Sequence, residues 1–406
     1  GKGSKNGCKK TSNKIHLIRI SDTNIGFCSF AIILNLVLEE QIIISLGSNL
    51  GDRLNAFYKA LALLEAHPIS IKSLSKIYET PAWGFESYPF YNACVSLETK
   101  LDPKSLLMVL LKVEQIMGRP RSKEKGYRSR NIDLDLLFYK GENIFSAELK
   151  IPHPKLHKRN FVLAPLFEIS PKFIHPILHQ TIEELFQKSH DKTVATPLSF
   201  DLGLPPIFKS FPYIAIEGNI GVGKTTLAYM LSKYYKAKLL TESFTKNPFL
   251  KPFYKNPKTH ALAVENFFLN DRFENDIVFW KEKYDSVVAD FSLYKSLVFA
   301  RENINNTEFK NYKENFDSRI KSMKNPSLLI FLKCRVSRLK TNIKIRGRTF
   351  EQDIKQDYLN GIQRGYKLLL EEELPFPVQE IDLNGIDFEH DKIAFQSMLR
   401  TVFRAS

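Results

Sequence analysis

The sequence predicts two domains of different class: an α+β domain over residues 41–188 and an α/β domain, a parallel sheet covered by helices, over 211–406. Three observations carry this. The chain's 406 residues exceed what one hydrophobic core ordinarily organises. The first half mixes strand-like and helix-like periodicity without a regular βαβ rhythm, whereas the second alternates long amphipathic helices with short apolar strands. Between them, from Ser189 to Pro206, the periodicity fades into Ser, Thr, Asp, Gly and three prolines, so a linker is expected over 189–210.

In the first half, Gln41–Leu46 reads as a buried strand because Ile42, Ile43 and Ile44 follow one another. Gly47-Ser48-Asn49 then turns the chain into a helix from Arg53 to His67, with Leu54, Phe57, Leu61 and Leu64 at helical spacing. Ile71–Tyr78 and Ala93–Glu98 alternate as strands, Pro103–Met117 returns to helical spacing, and Asp133–Tyr139 is strand-like. In the second half Pro212–Glu217 is a short apolar strand, Thr225–Tyr235 a helix, and Ser286–Asp290 and Ser327–Lys333 further strands.

Composition narrows the function classes. An apolar fraction of 43% is ample for two cores and argues against disorder. The balance of 59 Lys and Arg against 44 Asp and Glu leaves +15, which invites anionic ligands. The basic residues are dispersed, with no block interleaved with aromatics, so phosphorylated small molecules suffice and no nucleic-acid partner is expected. Four cysteines without a CxxC pair indicate neither a disulfide scaffold nor structural zinc. The apolar run Ile25–Leu38 follows a basic stretch as a signal peptide would, but it is short for a membrane span and no small-residue cleavage site follows. Residues 1–40 are therefore expected to be a poorly ordered leader, the protein cytoplasmic, and no membrane partner involved. A homodimer through the second domain stays open.

Gly218-Asn219-Ile220-Gly221-Val222-Gly223-Lys224-Thr225 fits G-x-x-x-x-G-K-[ST], with a strand before it and a helix after. Glycines let backbone N–H groups face a phosphate, the helix N-terminus adds positive potential, Lys224 reaches the outer phosphates and Thr225 can ligate Mg²⁺. Gly218, Asn219, Gly221, Gly223, Lys224, Thr225 and Thr226 are thus candidate ATP-binding residues.

Further blocks follow in order: Thr241-Glu242, Asn247-Pro248-Phe249-Leu250, Phe253-Tyr254, Glu265 to Leu269, Arg272, and Arg346-Gly347-Arg348-Thr349-Phe350-Glu351. Together with the loop, over about 211–375, this resembles the deoxynucleoside kinase family. The resemblance implies Mg-ATP-dependent 5′-phosphorylation of a deoxynucleoside, with Glu242 as general base, Tyr254 and Glu351 holding the sugar 3′-hydroxyl, Arg346 and Arg348 closing on the transferring phosphoryl, and Asp290 helping to hold Mg²⁺. Two positions depart from the family pattern. Glu265 stands where glutamine is usual, and Asp290-Phe291-Ser292 where Asp-Arg-Ser is usual. Lys295, about one helical turn on, is the candidate replacement for the missing arginine. An ionised Glu265 only accepts hydrogen bonds and guanine offers two adjacent donors, so deoxyguanosine is the favoured acceptor; a protonated Glu265 would mimic glutamine. Another small acceptor, or a non-catalytic nucleotide-binding module, remains the alternative for this half.

In the first half, Arg119 to Arg130 concentrates cations before Asp133 and Asp135, whose i, i+2 spacing on a strand puts both carboxylates on one face. Taken alone, Asp-x-Asp is as often a solvated face. Here Leu46 to Arg53, Glu79 to Gly84, Phe90 to Ala93, this basic segment and Ile151 to Phe161 together resemble hydroxymethyl-dihydropterin pyrophosphokinase from about Gln41 to Leu185. The resemblance implies a ferredoxin-like fold and transfer of the terminal pyrophosphate of ATP to a pterin alcohol in folate biosynthesis. It assigns two Mg²⁺ to Asp133 and Asp135, the phosphates to Arg119, Arg121, Arg130, His153 and Arg159, Glu114 to ATP, and the pterin to Thr80, Pro81, Phe90, Asn92 and Phe161. Gly126 stands where the family often has an aromatic residue, with Tyr127 beside it.

Overall fold

Strand β1 (Ile42–Ser48) organises the first domain because its alternate residues serve opposite faces of one sheet. In a computed structural model describing residues 41–82, 87–118 and 129–404, Ile42, Ile44 and Leu46 pack under α1 (Arg53–Leu64) and α2 (Pro103–Ile116), whereas Ile43 packs with Leu163 and Leu166 of α3 (Asn160–Ile169). Both long helices begin where an aspartate caps free amides: Asp52 accepts from Asn55 N, and Asp102 from Lys104 N and Ser105 N. The remaining strands are β2 (Ile69–Leu74), β3 (Tyr78–Thr80), β4 (Phe90–Thr99), β5 (Asp133–Tyr139), β6 (Ile144–Phe145) and β7 (Lys150–Ile151); a short α4 (Ile182–Gln187) closes this half. The main sheet is antiparallel in the order β5-β1-β4-β3, with β2 also on β4.

The expected strand Ile71–Tyr78 is two strands. Between them Ser75 takes over the ladder: its hydroxyl accepts from Cys94 N at 2.9 Å while its own N donates to Cys94 O. The stretch expected to link the domains is packed. β8 (Thr196–Pro197) pairs with β3, and Leu202 and Ile207, the latter opening α5 (Ile207–Ser210), are buried.

The second domain is a parallel sheet in the order β10-β11-β9-β12-β13, formed by β9 (Tyr213–Gly218), β10 (Lys238–Leu240), β11 (Val287–Ala289), β12 (Leu328–Lys333) and β13 (Val378–Asp382). Between the strands run α6 (Lys224–Tyr235), α7 (Leu250–Lys255), α8 (Pro257–Phe279), α9 (Lys295–Asn303), α10 (Asn306–Ile320), α11 (Val336–Arg346) and α12 (Gln356–Glu371); α13 (Lys392–Arg404) ends the fold. The central strand β9 is buried throughout, as a strand covered on both faces should be. Because β9, β10 and β11 are parallel neighbours, the segments that leave their C-terminal ends converge on one edge. No helix among the described residues is long and apolar enough to cross a membrane.

Candidate active sites

In the first domain, the register of three strands builds the floor of a cavity of about 820 Å³. Gly47 on β1 lies opposite Asn92 on β4 and opposite Asp133 on β5, so the two side chains stand on one face with a residue lacking a side chain between them. At a strand spacing of about 4.8 Å that separates them by roughly 10 Å, room for one flat ring or a phosphate. Thr80, Pro81, Phe90, Asn92, Glu114, Arg130, Asp133, Asp135, His153, Arg159 and Phe161 all line this cavity. Arg119 and Arg121 lie outside the described residues, as do Gly126 and Tyr127.

Around that floor, Asn92 Nδ2 donates to Thr80 Oγ1 at 2.9 Å, which fixes the amide's orientation in a buried setting. The Arg130 guanidinium pairs with Asp133. Arg159 lies over the Phe161 ring at 5.5 Å. His153 is pushed down to about 4 by burial and by Arg159, so its imidazole is neutral near pH 7. Glu114 accepts from Leu134 N at 2.9 Å, an anchor for β5 beside the Asp pair. Asn49 was not foreseen as a site residue. Its side chain accepts from Arg130 N at 2.7 Å and donates to Ser87 and Ser129, clamping two loops beside the cavity-lining Arg130.

In the second domain a cleft of about 1010 Å³ opens at the convergent strand ends. Gly221, Gly223, Lys224, Thr225 and Thr226 line it; Gly218 and Asn219 do not. Gly218 (φ 142°) is where the loop presses on β12: an added Cβ would lie 2.3 Å from Leu332 O. Asn219 turns its amide away, donating to Leu359 O at 2.8 Å and so tying the loop to α12. Lys224 Nζ folds back on the carbonyls of Gly218 and Asn219 at 2.7 and 3.0 Å. Burial, with Lys295 nearby, lowers its ammonium to about 8.

Glu242 lies just beyond β10, where Asp290, just beyond β11, accepts its backbone N at 2.9 Å. The other Asp290 oxygen accepts from Thr225 Oγ1 at 2.6 Å. The Glu242 carboxylate is held from two sides, by Arg272 Nε and Nη2 at 2.8 and 2.7 Å and by Lys295 Nζ at 2.6 Å. Burial works to raise its pKa, but the two cations outweigh it and hold the carboxyl well below its ordinary range. Phe291, at the position of the family arginine, is core: it is 3% exposed and packs in the cluster containing Phe268 and Phe273. Lys295, at the start of α9, is the lysine that stands beside Glu242. Sequence alone assigns Arg272 no role; its contact with Glu242 joins α8 to a strand end 30 residues away, which no local pattern records.

Glu265 is buried in the same cleft, where Oε1 accepts from Asn303 Nδ2 at 2.6 Å and Oε2 has no partner among the described residues. Burial raises its carboxyl to about 7 despite the Asn303 bond. Tyr254 lines the cleft with its ring 5.8 Å from that of Phe350. Arg346 and Arg348 both pair with Glu351, and Arg348 also lies over the Phe244 ring at 3.7 Å. In this arrangement both arginines are tied to Glu351 rather than to the glycine loop. Among the described residues no group of three or more His, Cys, Asp or Glu is arranged to hold a metal.

The comparisons with known proteins divide the chain in the same way. The family model for "7,8-dihydro-6-hydroxymethylpterin-pyrophosphokinase (HPPK)" matches residues 43–171, and that for "Deoxynucleoside kinase" matches residues 214–405. A 2-amino-4-hydroxy-6-hydroxymethyldihydropteridine pyrophosphokinase of Aquifex aeolicus is 42% identical over 144 residues, 35% of this chain and 88% of that protein. A deoxyguanosine kinase of Bacillus subtilis is 33% identical over 192 residues, 46% of this chain and 93% of that protein. The chain belongs to both families. The folic acid synthesis protein fol1 of Pneumocystis carinii is also 38% identical over 167 residues, but this chain spans 22% of its length. The pyrophosphokinase domain thus carries the Asn92–Asp133 cavity, and the kinase domain the cleft behind the glycine loop.

Proposed function

We propose that the chain is a bifunctional ATP-dependent transferase. The pyrophosphokinase domain moves the terminal pyrophosphate of ATP to 6-hydroxymethyl-7,8-dihydropterin, and the kinase domain phosphorylates the 5′-hydroxyl of a deoxynucleoside. The first half rests on the Gly47 register, which sets an amide-bearing pocket beside the Asp133 and Asp135 carboxylates. Asn92 and Thr80 hydrogen-bond the pterin edge, and Phe90 and Phe161 supply ring faces. The pterin hydroxyl attacks the β-phosphorus, the bond from that phosphorus to the α–β bridging oxygen breaks, AMP leaves, and the hydroxyl proton is released to water. Arg130 and Arg159 offset phosphate charge. The strand order β5-β1-β4-β2, with both long helices on one face, supports the ferredoxin-like reading of this half.

The second half rests on Glu242. It is a largely buried carboxylate, 13% exposed, at a strand end next to the phosphate loop, where an acceptor hydroxyl must lie. The 5′-hydroxyl attacks the γ-phosphorus, its proton passes to Glu242 and ADP leaves. Lys224 meets the outer phosphates, and Tyr254 with Glu351 holds the sugar. All the candidate donors are hard oxygens, Asp133 and Asp135 in one domain and Thr225 and Asp290 in the other, a set that fits Mg²⁺. The cation, when bound, neutralises and aligns triphosphate oxygens.

Deoxyguanosine is the acceptor we favour. The unpartnered Glu265 Oε2 offers an acceptor inside the cleft, and the Bacillus subtilis relative is named for that nucleoside. Incubation with MgATP and the pterin alcohol should release AMP, and with deoxyguanosine ADP, faster than with the other three deoxynucleosides. No ADP with any deoxynucleoside overturns the kinase reading; a clear preference for thymidine or deoxycytidine overturns the base assignment alone.

A further inference from the structure

The last helix of the kinase domain does not serve that domain alone. α13 lies against α1 and β2 of the pyrophosphokinase domain. At this contact Arg400 Nε and Nη2 donate to both carboxylate oxygens of Glu65 at 2.6 and 3.0 Å, with side chains 1% and 9% exposed. Glu65 follows the last turn of α1 and also accepts from Ile71 N on β2, so the carboxylate that Arg400 holds itself ties α1 to β2. One turn on, the Phe403 ring meets Tyr58 of α1 edge-on at 5.9 Å, and the Tyr58 hydroxyl donates to Asp201 O in the connecting stretch. Gln396 fills the space a side chain at Gly203 would need: a Cβ there would lie 1.7 Å from Gln396 Nε2. At its other end α13 follows Asp387–His390, which line the kinase cleft, and Phe388 packs on Gly223 of the phosphate loop.

Contacts between domains of one chain are ordinarily loose and polar. An exposed ion pair across such a boundary would signify little. A buried two-pronged pair is different: stripping both charges of water is costly, and such a pair is retained where it fixes one register, since either partner left alone is a buried uncompensated charge. Apolar contacts of Met398, Leu399 and Val402 surround this one.

We propose that α13 is a docking helix that makes the two catalytic domains one cooperative unit, with the α1–β2 face of the pyrophosphokinase domain as its partner surface and Arg400–Glu65 as its register lock. Such a unit holds together when the connection is cut and unfolds in one step. The test is a full-length chain with a protease recognition sequence inserted after Val194, which is 72% exposed. After cleavage the two halves should co-elute on gel filtration, and the uncut chain should melt in a single calorimetric transition. Arg400→Glu and Glu65→Arg should each weaken the association of the halves on the order of a hundred-fold or more. The double exchange Glu65→Arg/Arg400→Glu should recover most of it. Wild-type halves that elute separately after cleavage, or a wild-type chain with two well-separated transitions, overturn the proposal. Because this cut leaves β8 and Asp201, which also contact the pyrophosphokinase domain, on the kinase half, co-eluting halves whose association neither Arg400→Glu nor Glu65→Arg weakens overturn the assignment to α13 as well.

Discussion

At the scale of the residue, the chemistry of the kinase site turns on how one carboxylate is held. Glu242 shares its charge with Arg272 and Lys295, while Phe291 beside Asp290 is buried in the core. Removing Lys295 leaves Arg272 alone on Glu242, so Lys295→Ala should lower kcat/KM for nucleoside phosphorylation by roughly a hundred-fold, as loss of a preorganised charge at a reacting centre does. On the proposed role of Glu242 as base, it must be ionised; Lys295 is the first of the cations that depress it, so the acid limb of the pH–rate profile should move upward in that variant. Lys295→Arg should restore both. Unchanged kinetics in Lys295→Ala would show that Arg272 suffices.

Glu265 behaves in the opposite sense. Burial lifts its carboxyl from the ordinary 4.5 to about 7, so the folded state favours the neutral form. Its contribution to stability is full below 4.5 and is lost as pH rises through about 7. Over the same interval the group changes from a donor and acceptor to an acceptor alone. The preference for deoxyguanosine over the other deoxynucleosides should therefore sharpen as pH rises from about 6 to about 8. Glu265→Gln should flatten that dependence. Initial rates for the four deoxynucleosides across this range read it directly.

At the scale of the element, the glycine loop shows how the backbone carries a site that side chains only finish. Gly218 is needed less for a phosphate than for fit, because β9 and β12 approach so closely there that Leu332 O occupies the place of a Cβ. Gly218→Ala should cost about 1–3 kcal/mol from backbone strain, with the steric clash added, and should appear as a lower denaturation midpoint before any change in nucleotide affinity is considered. The loop and its flanking strand and helix were legible in the sequence because glycine spacing and apolar periodicity are local signals. So was the pairing of Asp133 with Asp135, which needs only the two-residue repeat of a strand. What was not legible needed the third dimension. Arg272 reaches Glu242 across 30 residues, and Asn49 reaches Arg130 across 81. Asn219 carries the loop's only amide-bearing side chain, yet it braces α12 instead of facing the cleft. The break at Ser75 escaped periodicity because a hydroxyl there imitates the backbone bonds of the ladder.

At the scale of the molecule, two phosphate-handling sites stand on unrelated architectures and share no lining residue among those described. One uses carboxylates and arginines on an antiparallel sheet. The other uses a backbone cradle at the end of a parallel one. If the docking of α13 joins the domains mechanically but not chemically, each activity should be removable without the other. Asp135→Ala should abolish AMP formation with the pterin alcohol while leaving ADP formation with deoxyguanosine within a factor of about two, since the altered side chain lies in another cavity and distant changes combine nearly additively. Lys224→Ala should do the reverse, lowering ADP formation by roughly a hundred- to a thousand-fold through loss of the cation on the outer phosphates. Both products are separated from ATP in one chromatographic run, so the pair of variants can be scored in the same assay. Independent losses place the two chemistries in two sites. A parallel fall of both products in Lys224→Ala would mean that the glycine loop feeds the pterin reaction as well, against the geometry that keeps it in the other domain.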